Sequence, residues 1–230
     1  MIRFLFLVLF IVSIPSAQNY TLSIFGFPCG EIFMEYNGKD SLAFTAKSTG
    51  VLDALWPFDN HYETMFDSSY GVLSYKKRIQ QKNLQQKVKM QWEESSQSYS
   101  YNKNDTLQRI SPIQNIFTSL VKIQNLPTEE LDTKWFFIDH EGQQVKARFL
   151  LADNINVFAM GDSIHCNHYR LDLVQTGGGR IILDQTDFFT ENITLPDMVR
   201  QLWVEQNEPK RIIKATVSQS VFKLEALINE

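Results

Sequence analysis

Apolar and polar residues alternate with period two along most of this chain, and short turn-forming clusters interrupt the alternation. A period of two marks strands with one buried face and one solvated face. It predicts strands near Tyr20 to Gly26, Glu31 to Tyr36, Leu42 to Ser48, His61 to Phe66, Ser98 to Tyr101, Trp135 to His140, Val145 to Leu151 and Ser163 to Val174. Further strands are expected near Arg180 to Gln185, Val199 to Glu205, Arg211 to Ser218 and Val221 to Ile228. The clusters Asn37-Gly38-Lys39-Asp40, Glu141-Gly142, Gly177-Gly178-Gly179 and Asn207-Glu208-Pro209 offer short connections of the kind that join antiparallel neighbours. The pattern reads as a meander, not as parallel units with crossover helices.

One segment has helical spacing instead. Ser111 can cap, Pro112 suits the first helical position, and Ile113, Ile116, Phe117, Leu120 and Val121 form one apolar stripe. The expectation is an amphipathic helix over 111–124, packed on the sheet. Twisted sheets of many strands curl or close. The predicted fold class is therefore mainly β: a single large antiparallel meander, curved into a half-barrel or barrel-like body, with one packed amphipathic helix. No Pro, Gly or Ser-rich linker divides residues 18–230, which read as one domain.

The N-terminus adds a location. Met1-Ile2-Arg3, the apolar run from Phe4 to Val12 and the small residues of Ser13 to Ala17 follow the order of a secretory signal peptide. The run is too short to span a bilayer, so cleavage after Ser16 or Ala17 and an exported, periplasmic protein are expected. Formal charge is -4, or -5 without Arg3, a mildly acidic balance that argues against nucleic acid as partner.

One stretch departs from that balance. From Lys76 to Trp92 there is no acidic residue, and Lys76, Arg78, Lys87 and Lys89 alternate with Tyr75, Ile79, Val88 and Met90. Two strands joined by a turn at Asn83 would then present one basic face. That face suits the anionic headgroups of phospholipid or lipopolysaccharide; the plainer reading is a solvated face whose lysines discourage edge-to-edge association.

Recognisable chemistry is sparse, and no catalytic, metal or cofactor site is expected. Gly161-Asp162-Ser163-Ile164-His165 approaches a nucleophile elbow but lacks the final Gly and leads into a strand. His165 and His168, three apart in a strand, point to opposite faces. Gly177 to Gly179 precedes a strand and not a helix, so it reads as a hairpin loop and not a phosphate cradle. Cys29 and Cys166 are the only cysteines. Export allows one bridge between them, and two buried free thiols are an equal alternative.

The order of these features resembles a known family. Gly30-Glu31-Ile32 in the second strand, the Lys-Ser-Thr-Gly-Val segment before Pro57 and Asp59, the basic hairpin, the helix from Ile113 and the closing pair Leu202-Trp203-Val204 and Arg211-Ile212-Ile213 are similar to the exported bacterial family called domain of unknown function 3108. This chain has Ser111-Pro112-Ile113-Gln114 where that family typically has an Asp-Pro-Leu-Ser-like start. The resemblance implies a Gram-negative envelope location and a β-rich, curved body, with no catalytic residues to carry over.

A looser architectural likeness is to periplasmic lipoprotein and lipid carriers. The expected function is thus a noncatalytic envelope protein binding an apolar or lipid-like ligand, with Trp92, Phe117, Leu120, Phe149 and Trp203 as cavity-lining candidates. Each of these also reads as plain core. Two alternatives stand beside it: a structural adaptor that meets an envelope protein or an anionic membrane surface, and a hydrolase with an unrecognised site. A continuous apolar pocket of several hundred cubic ångströms would favour carriage, a filled core with an exposed apolar patch the adaptor, and convergent polar groups in a cleft the hydrolase.

Overall fold

The computed structural model describes residues 17–102, 105–179, 182–183 and 185–229. The expected leader therefore lies outside the described residues, apart from Ala17. The first half of the chain is an antiparallel meander of eight strands: β1 (Gln18–Ile24), β2 (Phe27–Tyr36), β3 (Ser41–Ser48), β4 (Phe58–Phe66), β5 (Val72–Gln81), β6 (Leu84–Glu93), β7 (Ser98–Tyr101) and β8 (Asp105–Gln108). The second half adds β9 (Trp135–His140), β10 (Gln143–Ala159), β11 (Asp162–Gly179), β12 (Val199–Glu205), β13 (Ile212–Gln219) and β14 (Phe222–Ile228).

Pairing of β1 with β14 joins the halves into one open antiparallel sheet whose edges are β8 and β9. Cross-strand partners share a face, so one row can be followed from strand to strand: Gly30, Leu22, Ala226, Ala215 and Leu202 all point inward. That inner face is the core.

Four helices lie among the described residues, where the sequence pattern predicts one. The predicted helix is α2 (Ile116–Asn125), and it starts later than Ser111. Asn115 is its cap: the Asn115 side chain accepts from Thr118 N (2.8 Å), and the Thr118 hydroxyl accepts from Asn115 N (3.0 Å). This reciprocal pair satisfies two end groups that Ser111 and Pro112 would have left four residues away.

The displaced segment has another task. Val72 N donates to the Ile113 carbonyl (2.9 Å), and Asp139 N donates to the Gln114 carbonyl (2.7 Å), so residues 112–114 strap β5 to β9. Gly71 lets the strap approach, because a Cβ there would lie 2.7 Å from the Pro112 ring. The strap thus ties the β9 edge of the sheet to β5, three strands in from the β8 edge. Tyr101 and Arg109 add side-chain contacts to Asp139 across the same seam.

The remaining helices are α1 (Gly50–Leu55), α3 (Thr128–Leu131) and α4 (Phe188–Thr194). Strand β8 was not signalled by the pattern, being only four residues long. β10 and β11 run well past their expected ends as a two-stranded ribbon turning at Met160-Gly161. The expected hairpin loop at Gly177 to Gly179 is instead the end of β11: Gly179 pairs with Gln143 past a register shift, with Gly177 at φ 68. Glycine there permits a bulge and not a turn. Of the strand expected from Arg180 to Gln185, residues 182, 183 and 185 lie outside any strand, and Arg180, Ile181 and Asp184 lie outside the described residues.

Candidate functional site

Inside the curve, α2 and α4 lie across the inner face and leave a cavity of about 140 Å³. Ile116, Phe117 and Leu120 of α2 face Phe189 and Ile193 of α4 and the row Leu22, Ala226, Ala215 and Leu202 of the sheet. The space follows from side-chain size. Ala215 and Ala226 stand opposite each other on adjacent strands, flanked by Leu202 and Leu22, and Ala46 is a third small inner position. Larger residues at these points would fill the interior to ordinary packing density. Apolar atoms face the space, so water gains no hydrogen bonds by entering. An apolar cavity of this order stays dry and takes a guest about the size of one aromatic ring.

Two polar systems hold the helices in place. The buried Gln18 amide donates to Gln124 Oε1 (2.7 Å) and Gln124 Nε2 donates to the Tyr36 hydroxyl (2.7 Å), tying α2 to β1 and β2. For α4 the anchor is Asp187, fully buried, which caps the helix by accepting from Phe189 N and Thr190 N (3.1 Å each). The same carboxylate accepts from the Tyr62 hydroxyl (2.8 Å) and pairs with Lys77 Nζ (2.9 Å). Lys77 also meets Glu141 and the Thr186 hydroxyl.

At its other end α4 is closed by Arg200, an inward residue whose guanidinium donates to the carbonyls of Ile193, Leu195 and Met198. Burial pushes that guanidinium down to about 10, which still leaves it charged at neutral pH. A cation at the helix C-terminus and an anion at its N-terminus both match the helix dipole.

The sequence-predicted residues scatter. Phe117 and Leu120 border the cavity. Trp92 is on the inner face but belongs to a second core cluster with Tyr99, ring centroids 5.1 Å apart. Phe149 is wholly buried between Phe136 and Tyr169. Trp203 is on the outer face: it pairs with His168 and Lys214, and its ring stacks on the His168 imidazole at 4.4 Å. The alternation around Leu202-Trp203-Val204 is apolar on both sides, so nothing in it says which side is inward.

Lys76, Arg78, Lys87 and Lys89 are all exposed on the outer face, with Lys76 bonded to Glu63 (2.9 Å). Cys29 and Cys166 are free, buried thiols. Five strand steps separate β2 from β11, about 24 Å along the sheet at 4.8 Å a step, so the bridge is not formed. His165 bonds Asn156 and His168 bonds Asp153, from opposite faces. Ser163 sits beside the exposed Met160-Gly161 turn.

The buried cluster of Lys77, Glu141, Asp187, Thr186 and Tyr62 was missed. Lys77 is in phase with Tyr75 and Ile79, so strict alternation marks it as inward; its place in a basic run hides that signal.

These groups tie stability to pH. Burial alone would raise the Asp187 carboxyl; Lys77 and the Thr190 hydroxyl outweigh it and hold it below the usual carboxylate range. Its contribution is present above about pH 3.9 and is lost as pH falls through the folded value. Burial pushes His140 below its ordinary range, which acts in the same direction from about pH 6.5 downward. Asp139 is raised by burial and has the opposite sign: its contribution is lost as pH rises through its folded value. We expect unfolding free energy to fall from about pH 6.5 to pH 5, and His140→Gln to flatten that slope in denaturation series. A slope unchanged by the substitution would assign it to another group.

No protein-family model matches the chain, domain of unknown function 3108 included. No curated protein matches it either. Among solved structures, the fold is similar to a β-barrel-like protein of domain of unknown function 1849 from Brucella abortus, with TM-score 0.60 and 10% identity over 94% of this chain and 96% of that one. The hypothetical lipoprotein YmcC from Escherichia coli K12 aligns with TM-score 0.40 and 11% identity, covering 96% of this chain and 89% of that one. At 10% identity the first likeness is one of fold: a mostly β, barrel-like body of a bacterial domain without assigned function.

Proposed function

We propose that this protein is a noncatalytic carrier of the bacterial cell envelope, holding the alkyl end of a lipid-like ligand inside its half-barrel. One observation carries the reading: an apolar cavity of about 140 Å³ lies between the small-residue row of the sheet and the helices α2 and α4. The space is below the 300 Å³ or so of a typical pocket for a whole small ligand. It therefore suits one alkyl segment or ring, with the polar part of the ligand outside. The tripartite N-terminus supports export, and with it a place in the envelope. A noncatalytic role is supported by the occupation of the buried charges: Lys77, Asp187 and Arg200 are engaged in pairing and in holding α4.

Ala215→Phe tests this. The ring would enter the cavity from a rigid strand, so the affinity for a fluorescent fatty acid should drop at least about tenfold while stability changes by less than about 1.5 kcal/mol. Equal binding by both proteins would place the ligand elsewhere. No binding by the wild type would favour the adaptor.

A further inference from the structure

Three neighbouring segments at one end of the half-barrel hold large apolar side chains in solvent. Phe25 and Phe27 flank Gly26 in the β1–β2 turn, 56% and 75% exposed; Val221 of the β13–β14 turn is 87% exposed; Val51 and Leu55 of α1 are 80% and 63% exposed. They are neighbours in space. Phe25 N donates to the Lys223 carbonyl (2.9 Å), and the Phe25 and Phe222 rings meet at 5.8 Å. Thr49, which precedes α1, donates to the Cys29 carbonyl of β2 (3.1 Å). A contiguous rim of this kind differs from the single exposed apolar residues found on most surfaces.

Phe25 makes the rim harder to dismiss. Its φ is 53, the left-handed region, at a two-residue hairpin turn where Asn or Gly is favoured. Turn chemistry gives way to an aromatic ring that is mostly in solvent, and folding alone gains little from that exchange.

Cations border the rim. Lys82, in the β5–β6 turn, donates to the Leu55 carbonyl (3.1 Å) and so fixes the basic hairpin beside α1. On the hairpin's outer face the register sets Lys76 opposite Lys89 and Arg78 opposite Lys87. Like charges directly opposite each other destabilise a sheet. Lys76 is paired with Glu63, whereas among the described residues no ion pair reaches Arg78, Lys87 or Lys89.

A line of aromatic rings runs inward from the rim. Phe222 meets Phe188 at 6.2 Å, and Phe188 meets Phe189 at 5.5 Å. Phe189 lines the cavity.

We propose that this rim inserts into the headgroup boundary of an anionic lipid bilayer, and that the Phe222, Phe188 and Phe189 path admits an alkyl chain to the cavity. The second half rests on the carrier reading above; the first does not. Separate protruding tips suit a fluid apolar layer, which covers them without a matching pocket, and the adjoining unpaired cations match anionic headgroups.

The test is cosedimentation of the purified protein with vesicles of equal parts phosphatidylcholine and phosphatidylglycerol, at low and at physiological salt. The variant Phe25→Asn, Phe27→Thr, Val221→Ser should partition at least about tenfold more weakly than wild type at both salts, since three apolar contacts are lost. Its fold should hold, because Asn before Gly26 suits the turn and Thr suits a strand. Phe27→Thr alone, with a smaller loss of the same sign, serves should the triple variant unfold. Replacing Arg78, Lys87 and Lys89 by Gln should remove most of the salt dependence. Wild type that does not bind, or rim variants that bind equally well, would overturn the docking. Fatty-acid binding from solution, measured separately, should be unchanged in the rim variants. Its absence from all proteins would remove the path and the carrier reading while leaving the docking to stand on the vesicles.

Discussion

Asp187→Ala is expected to lower the unfolding free energy by about 3–5 kcal/mol, the loss typical of breaking a buried charge pair. Three interactions go at once. Lys77, with a wholly buried side chain, keeps Glu141 but loses its deeper partner; the Tyr62 hydroxyl loses its acceptor; and α4 loses the cap on Phe189 and Thr190. The cap alone accounts for about 1 kcal/mol of this. Urea denaturation at neutral pH reads the effect. Replacing both partners, Lys77→Met with Asp187→Leu, should recover part of the loss, because no uncompensated buried charge then remains. A loss under about 1 kcal/mol for Asp187→Ala would mean that Glu141 suffices for Lys77 and that α4 is held by its apolar face alone.

Phe117→Ala should cost a comparable amount, about 3–5 kcal/mol for a buried aromatic ring. The ring is 5% exposed and meets Phe44 at 5.2 Å, Tyr62 at 4.7 Å and Tyr75 at 6.1 Å. It thus joins α2 to three strands, and it also forms part of the cavity wall. Removing it both unpacks the helix and enlarges the cavity, so a fatty acid or aromatic probe should restore more stability to the variant than to the wild type. A loss under about 0.5 kcal/mol in chemical denaturation would place this side of α2 outside the core.

Much of the fold was legible because alternation reports directly which side of a strand is buried. Of the fourteen strands among the described residues, eleven lie near the bounds that pattern and turn residues predict, β5 and β6 among them as a basic hairpin turning at Asn83. Failures came where local rules and tertiary needs diverge. Ser111-Pro112 is a good helix start by itself, but the seam between β5 and β9 needs backbone partners, and residues 112–114 supply them. Gly177 to Gly179 looks like a turn, yet the long β10 strand gives it a partner in Gln143.

The candidate site was legible only in its helical half. Phe117 and Leu120 lie on a stripe that must face the sheet, whereas a cavity is defined by what is missing, and Ala46, Ala215 and Ala226 carry no signal until their strands are registered. Aromatic size drew attention to Trp92, Phe149 and Trp203, but a large ring fills space and so tends to mark where a cavity is not. Lys77 was obscured differently. Its neighbours Lys76 and Arg78 are solvated, and composition cannot separate an inward lysine from the outward ones beside it; alternation can, once Tyr75 and Ile79 fix the phase.

The central claim is that the half-barrel carries an apolar ligand. Native mass spectrometry of the protein purified from its own envelope tests this most directly, because a guest held in the apolar interior is retained when surface lipid is stripped by mild detergent. The account predicts a bound species with the mass of a lipid or fatty acid, present on the wild type and depleted on Ala215→Phe. A wild-type protein that carries no such species, or an adduct retained in full by Ala215→Phe, would contradict it.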